Sequence, residues 1–405
     1  MKLTDKNINR SFAKFFRMDE KKFYEELIRC IINKKVRSIE EVLKIRREIC
    51  RKYHIKILPN IIQILLNSDK KDYEKLKFLQ AKPVRTISGV APVAVMTKPK
   101  NCPHGKCIQC PGGPNSFFGD VPQSYTGREP ATLRGTRANF DPYIQVFNRL
   151  EQYTLLNQNF DKVELIIMGG TFLSFEKKYQ ENFIGYCLKA LNDYGKFFFL
   201  KGRLNFQKFK KFFELPSNVK DQERVKRLRK KILGLKGKLN FEKEKVRNEK
   251  AKVRCVGLTI ETRPDFGKLE HGNRMLYLGC TRVELGIQSI YNKVLKKIER
   301  GHSVEDSIEA IRILKDLGFK VCGHYMLGLP GTNKKMDIEG LKALVLDERF
   351  MVDMLKIYPC MVLEGTKLYS LWKNGNYKAI TNISASVRDI CEGQVPLILY
   401  NLTEE

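Results

Sequence analysis

The pattern of apolar and polar positions changes near residue 86. Before that point apolar residues recur at helical spacing: Phe23, Leu27, Ile28 and Ile31 mark one face of a helix over Lys21–Ile32. Ile39, Val42, Leu43, Ile45 and Ile49 do the same over Ser38–Tyr53, and Ile61–Leu66 resumes after Pro59. Beyond residue 86, short β-branched runs alternate with amphipathic stretches. Strands are expected at Val90–Met96, Val163–Met168, Cys255–Glu261, Arg282–Ile287, Lys320–Leu327 and Met354–Tyr358. Helices are expected between them at Tyr143–Leu156, Tyr179–Asn192, Leu269–Gly279, Ser303–Gly318 and Asp337–Leu346. Such alternation implies a parallel sheet, so the fold class is α/β, a partial βα barrel of six strands behind a helical region at 1–85. In barrels of this kind chemistry gathers at the C-terminal strand ends. Residues 200–252 break the alternation. Within them Val225–Leu239 is basic and helical in places without a clean apolar face, and the segment reads as a mobile basic insertion.

Charge adds a partner to this picture. The chain has a formal net charge of +30 over 405 residues. Residues 1–85 hold 23 Lys/Arg against 11 Asp/Glu, and residues 201–250 hold 18 against 6, so these two segments carry 24 of the 30. Charge so localised points to a polyanion, and nucleic acid is the expected one. No apolar run approaches a membrane span, and the first residues are polar, so no membrane partner and a cytoplasmic location are expected.

Eleven cysteines, most of them single within apolar segments, do not form a disulfide framework. Three cluster, as Cys102-x4-Cys107-x2-Cys110, on a loop whose Gly105, Gly112 and Gly113 allow tight turns. Three soft thiolates can hold one metal centre and leave a ligand position open, where structural zinc takes four protein ligands. Zinc completed by His104 is one alternative, though His104 is cramped between two of the cysteines. A ferredoxin-type site completed by Cys187 is another, and three unconnected cysteines are the third. An iron–sulfur cluster with one open iron fits the spacing best.

The loop is followed by Gln123–Pro130, Asp161–Glu164, Met168-Gly-Gly-Thr-Phe172, Gly257–Asp265, Gly279–Ser289, Arg300-Gly-His302, Leu355–Pro359 and Gly365–Tyr377. In that order, over about residues 80–378, these stretches resemble the catalytic subunit of Elongator, the radical S-adenosylmethionine (SAM) tRNA uridine(34) acetyltransferase family. The resemblance implies a partial (βα)6 radical-SAM barrel over 86–378. It implies that Cys102, Cys107 and Cys110 hold a 4Fe–4S cluster whose open iron binds SAM. Gly169, Gly170 and Thr171 would then meet the methionine end of SAM, with Glu261, Arg263 and Gln288 facing the same site. Arg263 is expected to grip a carboxylate or phosphate through two hydrogen bonds. Lys162 holds the family's acetyl-CoA-contacting position. The implied reaction uses the SAM-derived radical to activate the methyl of acetyl-CoA. The acetyl unit then joins C5 of wobble uridine 34, and thioester hydrolysis leaves 5-carboxymethyluridine. tRNA on the basic segments and an electron-donor protein are the implied partners.

The family also carries a GNAT-type acetyltransferase domain after the barrel, and no family motif is legible in residues 379–405. A truncated product is the expected reason, ahead of a split protein with a separate acetyltransferase half, or a divergent member. Elongator-like subunits would be further partners. Two other functions share the cysteines: radical-SAM chemistry on other RNA or small molecules, and a non-catalytic tRNA-binding iron–sulfur protein.

Overall fold

The computed structural model describes residues 21–79, 86–216, 221–380 and 397–399; the expected tail at 379–405 falls almost wholly outside them. All six expected strands form, each within a residue or two of its predicted ends. They are β1 (Ala91–Met96), β2 (Lys162–Met168), β3 (Arg254–Thr262), β4 (Arg282–Gln288), β5 (Lys320–Leu327) and β6 (Met354–Pro359). They lie side by side in chain order and pair in parallel, and a short β7 (Leu397–Leu399) adds to β6. Sequential parallel neighbours need a crossover at each step, and helices at Pro142–Leu155, Lys177–Phe198, Leu269–Leu278, Val304–Asp316 and Lys334–Leu346 supply it. The partial barrel is therefore as read.

Side chains alternate across each strand. Val163, Leu165 and Ile167 of β2, all fully buried, face one way, and Glu164 faces the other. On that second face Glu164 bonds Thr259 at 2.7 Å and Arg282 at 2.5 Å, while Glu284 bonds His324 and Lys356. One face is thus an apolar seat for helices, and the inner face is charged.

The N-terminal helices pack as their spacing implies, with Phe23, Leu27, Ile28 and Ile31 buried against Val42, Ile45 and Ile49. The basic insertion departs from expectation. Its helices Phe206–Phe212, Gln222–Lys236 and Phe241–Glu249 pack firmly. Phe206, Phe209 and Phe213 are buried with Phe198, and Leu228 and Ile232 close the cluster. Tyr73 stacks on Phe206 with ring centres 3.9 Å apart, and the Lys210 ammonium donates to the carbonyls of Leu66 and Ser68. Two basic segments far apart in sequence are therefore docked on each other. The apolar face is aromatic and short, which is why a scan of the longer Val225–Leu239 stretch does not find it.

Candidate active site

The cysteine loop runs on from β1 and is clamped from outside. The Ile108 amide donates to the Ile298 carbonyl at 3.2 Å, and the Leu368 amide donates to the Ile108 carbonyl at 2.9 Å. Gly112 permits the next turn: a Cβ there would stand 2.3 Å from the Pro122 carbonyl oxygen and 2.5 Å from that of Tyr125. This close approach brings Gln123-Ser124-Tyr125 under the loop. Gln123 Nε2 then donates to Cys110 Sγ at 3.4 Å. Glu129 holds the segment's turn by accepting from the Thr126 amide and hydroxyl, each at 2.8 Å.

The end of β2 meets the loop from the other side. Gly169 and Gly170 have φ of +125° and +102°, and a Cβ on Gly169 would lie 2.2 Å from Thr97 Oγ1. Only glycine fits this turn, whose carbonyl at Gly169 accepts from Thr97 Oγ1 at 3.5 Å and whose amide there meets the Glu261 carboxyl. Thr171 Oγ1 sits 3.8 Å from Cys102 Sγ. Arg300 reaches the third thiol, with Nη1 3.6 Å from Cys107 Sγ and Nη2 donating to the Gly286 carbonyl at 2.9 Å. Its Nε is buried and unpartnered. Cys107 and Cys110 are buried and Cys102 half-buried. Burial raises the thiols of Cys102 and Cys110, and Cys107 close by raises both further; Thr171, Arg300 and Arg263 oppose this at Cys102. Thiolates are needed to bind iron. The arginines stand where they favour them.

These residues fit a multi-iron cluster better than a single ion. Among the described residues the three thiols do not form a set with every ligand atom within 4.8 Å of the others, as a single ion would need. Iron–sulfur clusters spread their thiolates farther apart. His104 Nε2 lies 3.2 Å from Cys107 Sγ alone, so it does not complete a zinc site with the three cysteines. Cys187 is fully buried in the Lys177–Phe198 helix, where Cys255 and Asp141 influence it, so it is no fourth ligand of a ferredoxin pattern.

The other expected residues divide. Glu261 points along the inner face at the end of β3 and accepts from the Tyr125 hydroxyl at 3.0 and 3.2 Å. Burial, with repulsion from Glu284, pushes its carboxyl up to about 7. Gln288 ends β4 in the left-handed region, φ +69°, with Oε1 buried and unpartnered. A non-glycine residue held there is strained, as residues at ligand sites often are. Arg263 is near the thiols, but its fork is already taken. Nε and Nη2 bind the two oxygens of Asp265, each at 2.8 Å, and Nη2 also donates to Gly301. It therefore does not present a free two-pronged grip as read, and only Nη1 is unpartnered. Lys162 is exposed at the first residue of β2, and Met168 ends that strand. Six residues of strand place it about 20 Å from the cluster loop's end of the sheet. It does not join the site.

Of the charged layer beneath, sequence reasoning expects only a pairing of Arg282 with Glu284 inside the barrel, and it passes over His324 and Lys356. Glu284 Oε2 binds the Lys356 ammonium at 2.5 Å and His324 Nε2 at 3.1 Å, and Arg282 stands 3.5 Å from Oε1. Burial opposes the Glu284 charge, but His324 and Lys356 outweigh it and hold the carboxyl down at about 2. Burial keeps His324 neutral-leaning, below its ordinary value. Glu284, Cys322 and His324 could together hold an ion. Lys356 already supplies a cation there.

Glu261 gives a pH signature. Its folded value is raised, so the stability it contributes is full below 4.5 and is lost as pH rises past about 7. Urea titrations should show wild type losing about 3 kcal/mol relative to Glu261→Gln across that window. Parallel pH profiles of the two proteins would refute the assignment.

A parallel βα sheet with three cysteines and a glycine turn at one end of its strands defines a radical-SAM architecture. The radical SAM superfamily description matches residues 100–342, more than half of the chain, and the chain belongs to that superfamily. The Radical_SAM C-terminal domain matches 352–391, past the boundary expected at 378, and the ELP3 N-terminal domain matches 20–87. The chain is similar to the tRNA uridine(34) acetyltransferase of Methanocaldococcus infernus, 46% identical over 364 residues, 87% of this chain and 60% of the relative. The enzyme of the same name from Methanocaldococcus jannaschii is 44% identical over 371 residues, 89% of this chain and 60% of the relative. Elongator complex protein 3 of Saccharomyces cerevisiae is 40% identical over 336 residues, 81% of this chain and 53% of the relative. The solved structure of the archaeal Methanocaldococcus infernus Elp3 with an N-terminal deletion superposes with a TM-score of 0.55 at 37% identity. It covers 78% of this chain and 57% of its own. These likenesses bear out the kinship read from the ordered motifs. The chain spans about three-fifths of the length of the first curated relatives it matches. Membership of the superfamily brings a 4Fe–4S cluster and SAM as its cofactors. Among the described residues no helix is long and apolar enough to cross a membrane.

Proposed function

We propose that this chain is the radical-SAM part of an Elongator-type enzyme that builds 5-carboxymethyluridine at wobble uridine 34 of tRNA from acetyl-CoA. The observation that carries the reading is the meeting of three family motifs at one end of the sheet: Cys102–Cys110, Gly169-Gly170-Thr171 and Arg300. Relatives named tRNA uridine(34) acetyltransferase support the target. When bound, the cluster and SAM supply a carbon-centred radical able to take hydrogen from an unactivated methyl group.

The chain's own residues prepare that event. Cys102, Cys107 and Cys110 would hold three irons, leaving the fourth for SAM. The side-chain-free turn at Gly169 and Gly170 suits close approach by the amino end of SAM, and the unpartnered Arg300 Nε suits its carboxylate. Glu261, pushed up to about 7, is a hydrogen-bond donor for much of its time at neutral pH. Gln288 Oε1 offers a buried, unpartnered acceptor at the end of β4. The buried loop and charged layer exclude water around the reactive centre. The two docked basic segments suit tRNA phosphates, with unstacked anticodon bases reaching the mouth of the sheet. Lys162 stands at the far end of β2, so it would touch only a part of acetyl-CoA remote from the methyl. A separate acetyltransferase half, Elongator-like subunits and an electron-donor protein complete the proposed assembly.

The test is anaerobic reconstitution with dithionite and SAM, scoring 5′-deoxyadenosine and modified uridine with and without tRNA and acetyl-CoA. The expected result is deoxyadenosine formation that tRNA and acetyl-CoA channel into carboxymethyluridine. Lys162→Ala should leave deoxyadenosine formation within about twofold of wild type. Deoxyadenosine without any uridine product, when a separate acetyltransferase half is also supplied, would defeat the acetyl chemistry.

A further inference from the structure

We infer that the outer side of the cysteine loop is the docking surface for an acidic one-electron carrier protein, through Lys106, Lys293, Lys296 and Lys297. The inference rests on the cluster being held by the three cysteines, and the carrier is the electron donor the proposed function requires. The loop is held from outside at Ile108, whose amide binds the carbonyl of Ile298. Ile298 is the C-cap of the short helix Asn292–Lys297. On this helix Lys293, Lys296 and Lys297 stand at i, i+3 and i+4, one exposed face, while Val294 and Leu295 are buried on the other. Two residues past the cap, Arg300 reaches Cys107 Sγ. The exposed lysine face and the thiol are therefore joined by a few bonds. Lys106, exposed on the loop itself, adds a fourth charge.

Neighbouring acids do not cancel this face. Glu299 is taken by Lys367 at 2.6 Å, and Glu305 by Asn292 at 3.0 Å. Among the described residues none of the four lysines has an ion-pair partner. Solvated lysines are common, but here three of them stand on the helix whose C-cap, Ile298, binds the cysteine loop, and Arg300 just past that cap reaches Cys107. Transient redox partners meet over small interfaces steered by opposite charge. A basic face over a buried redox centre suits such a partner.

The test uses the full chain, with the reconstituted cluster and separately without metal, and a reduced acidic ferredoxin as probe. In Lys293→Glu/Lys296→Glu/Lys297→Glu, ferredoxin-driven cluster reduction at low salt should fall about tenfold or more. Ferredoxin binding to the metal-free chain should weaken likewise, while reduction by dithionite stays within about twofold. Arg312→Glu/Lys315→Glu/Lys320→Glu, at the other ends of the strands, should leave the ferredoxin rate unchanged. An unchanged rate in the first variant, or an equal loss in the second, overturns the inference. So does a first variant that loses tRNA affinity while keeping its ferredoxin rate. Because only cluster reduction is read, failure of the uridine chemistry would leave this result standing.

Discussion

Replacing Lys356 by alanine is expected to cost about 3 kcal/mol of folding stability, near the low end for breaking a buried ion pair. Lys356 is 5% exposed and Glu284 1%, and their 2.5 Å contact is deep on the inner face of the sheet. Removing the ammonium leaves a carboxylate whose charge was held by that contact and by His324. Water cannot take over its role at such depth. The loss is not larger because Arg282 and His324 remain within reach of the carboxylate. The carboxyl should also move upward from about 2, so the variant should be comparatively more stable at low pH than at neutral pH. A double change, Lys356→Met with Glu284→Gln, removes the stranded charge and should recover most of the loss. Urea midpoints at constant slope measure all three proteins. A loss under about 1 kcal/mol for Lys356→Ala would mean the layer is hydrated.

The second large effect is chemical. Cys102→Ser, Cys107→Ser and Cys110→Ser should each abolish SAM cleavage, whereas Cys187→Ser should not. The three thiols differ in surroundings: Cys102 faces Thr171, Cys107 faces His104 and Arg300, and Cys110 faces Gln123. Serine preserves size and most of these contacts, so secondary structure by circular dichroism should be retained. Iron content should fall in each variant. Full SAM cleavage by any one of them would remove that cysteine from the cluster.

The sheet was legible because its strands are short apolar runs, as in Lys320–Leu327, which Gly328 ends. The cysteine loop was legible because its residues are close in sequence. The charged layer was legible only as a pairing of Arg282 with Glu284. Glu261, Glu284, His324 and Lys356 lie on four strands, and only the register of a parallel sheet brings them together. A faint signal exists: single charges within apolar runs, Glu284 in Arg282–Gln288 and Lys356 in Met354–Pro359. Buried charges are rare unless paired, so each implied a partner somewhere on the same face. Arg263 was half read. Its place near the site was right, but Asp265, two residues on, already fills its fork. Lys162 rests on the resemblance alone. A motif carried its role, and the strand it opens points that role away from the cysteines.

The central claim is that Cys102, Cys107 and Cys110 hold a 4Fe–4S cluster with one iron left for SAM. Electron paramagnetic resonance of the reduced, reconstituted chain, before and after adding SAM, tests it most directly. The expected result is a 4Fe–4S signal whose shape changes on SAM binding, in wild type but in none of the three serine variants. A signal indifferent to SAM, or a chain that takes up zinc in place of the cluster, would contradict it.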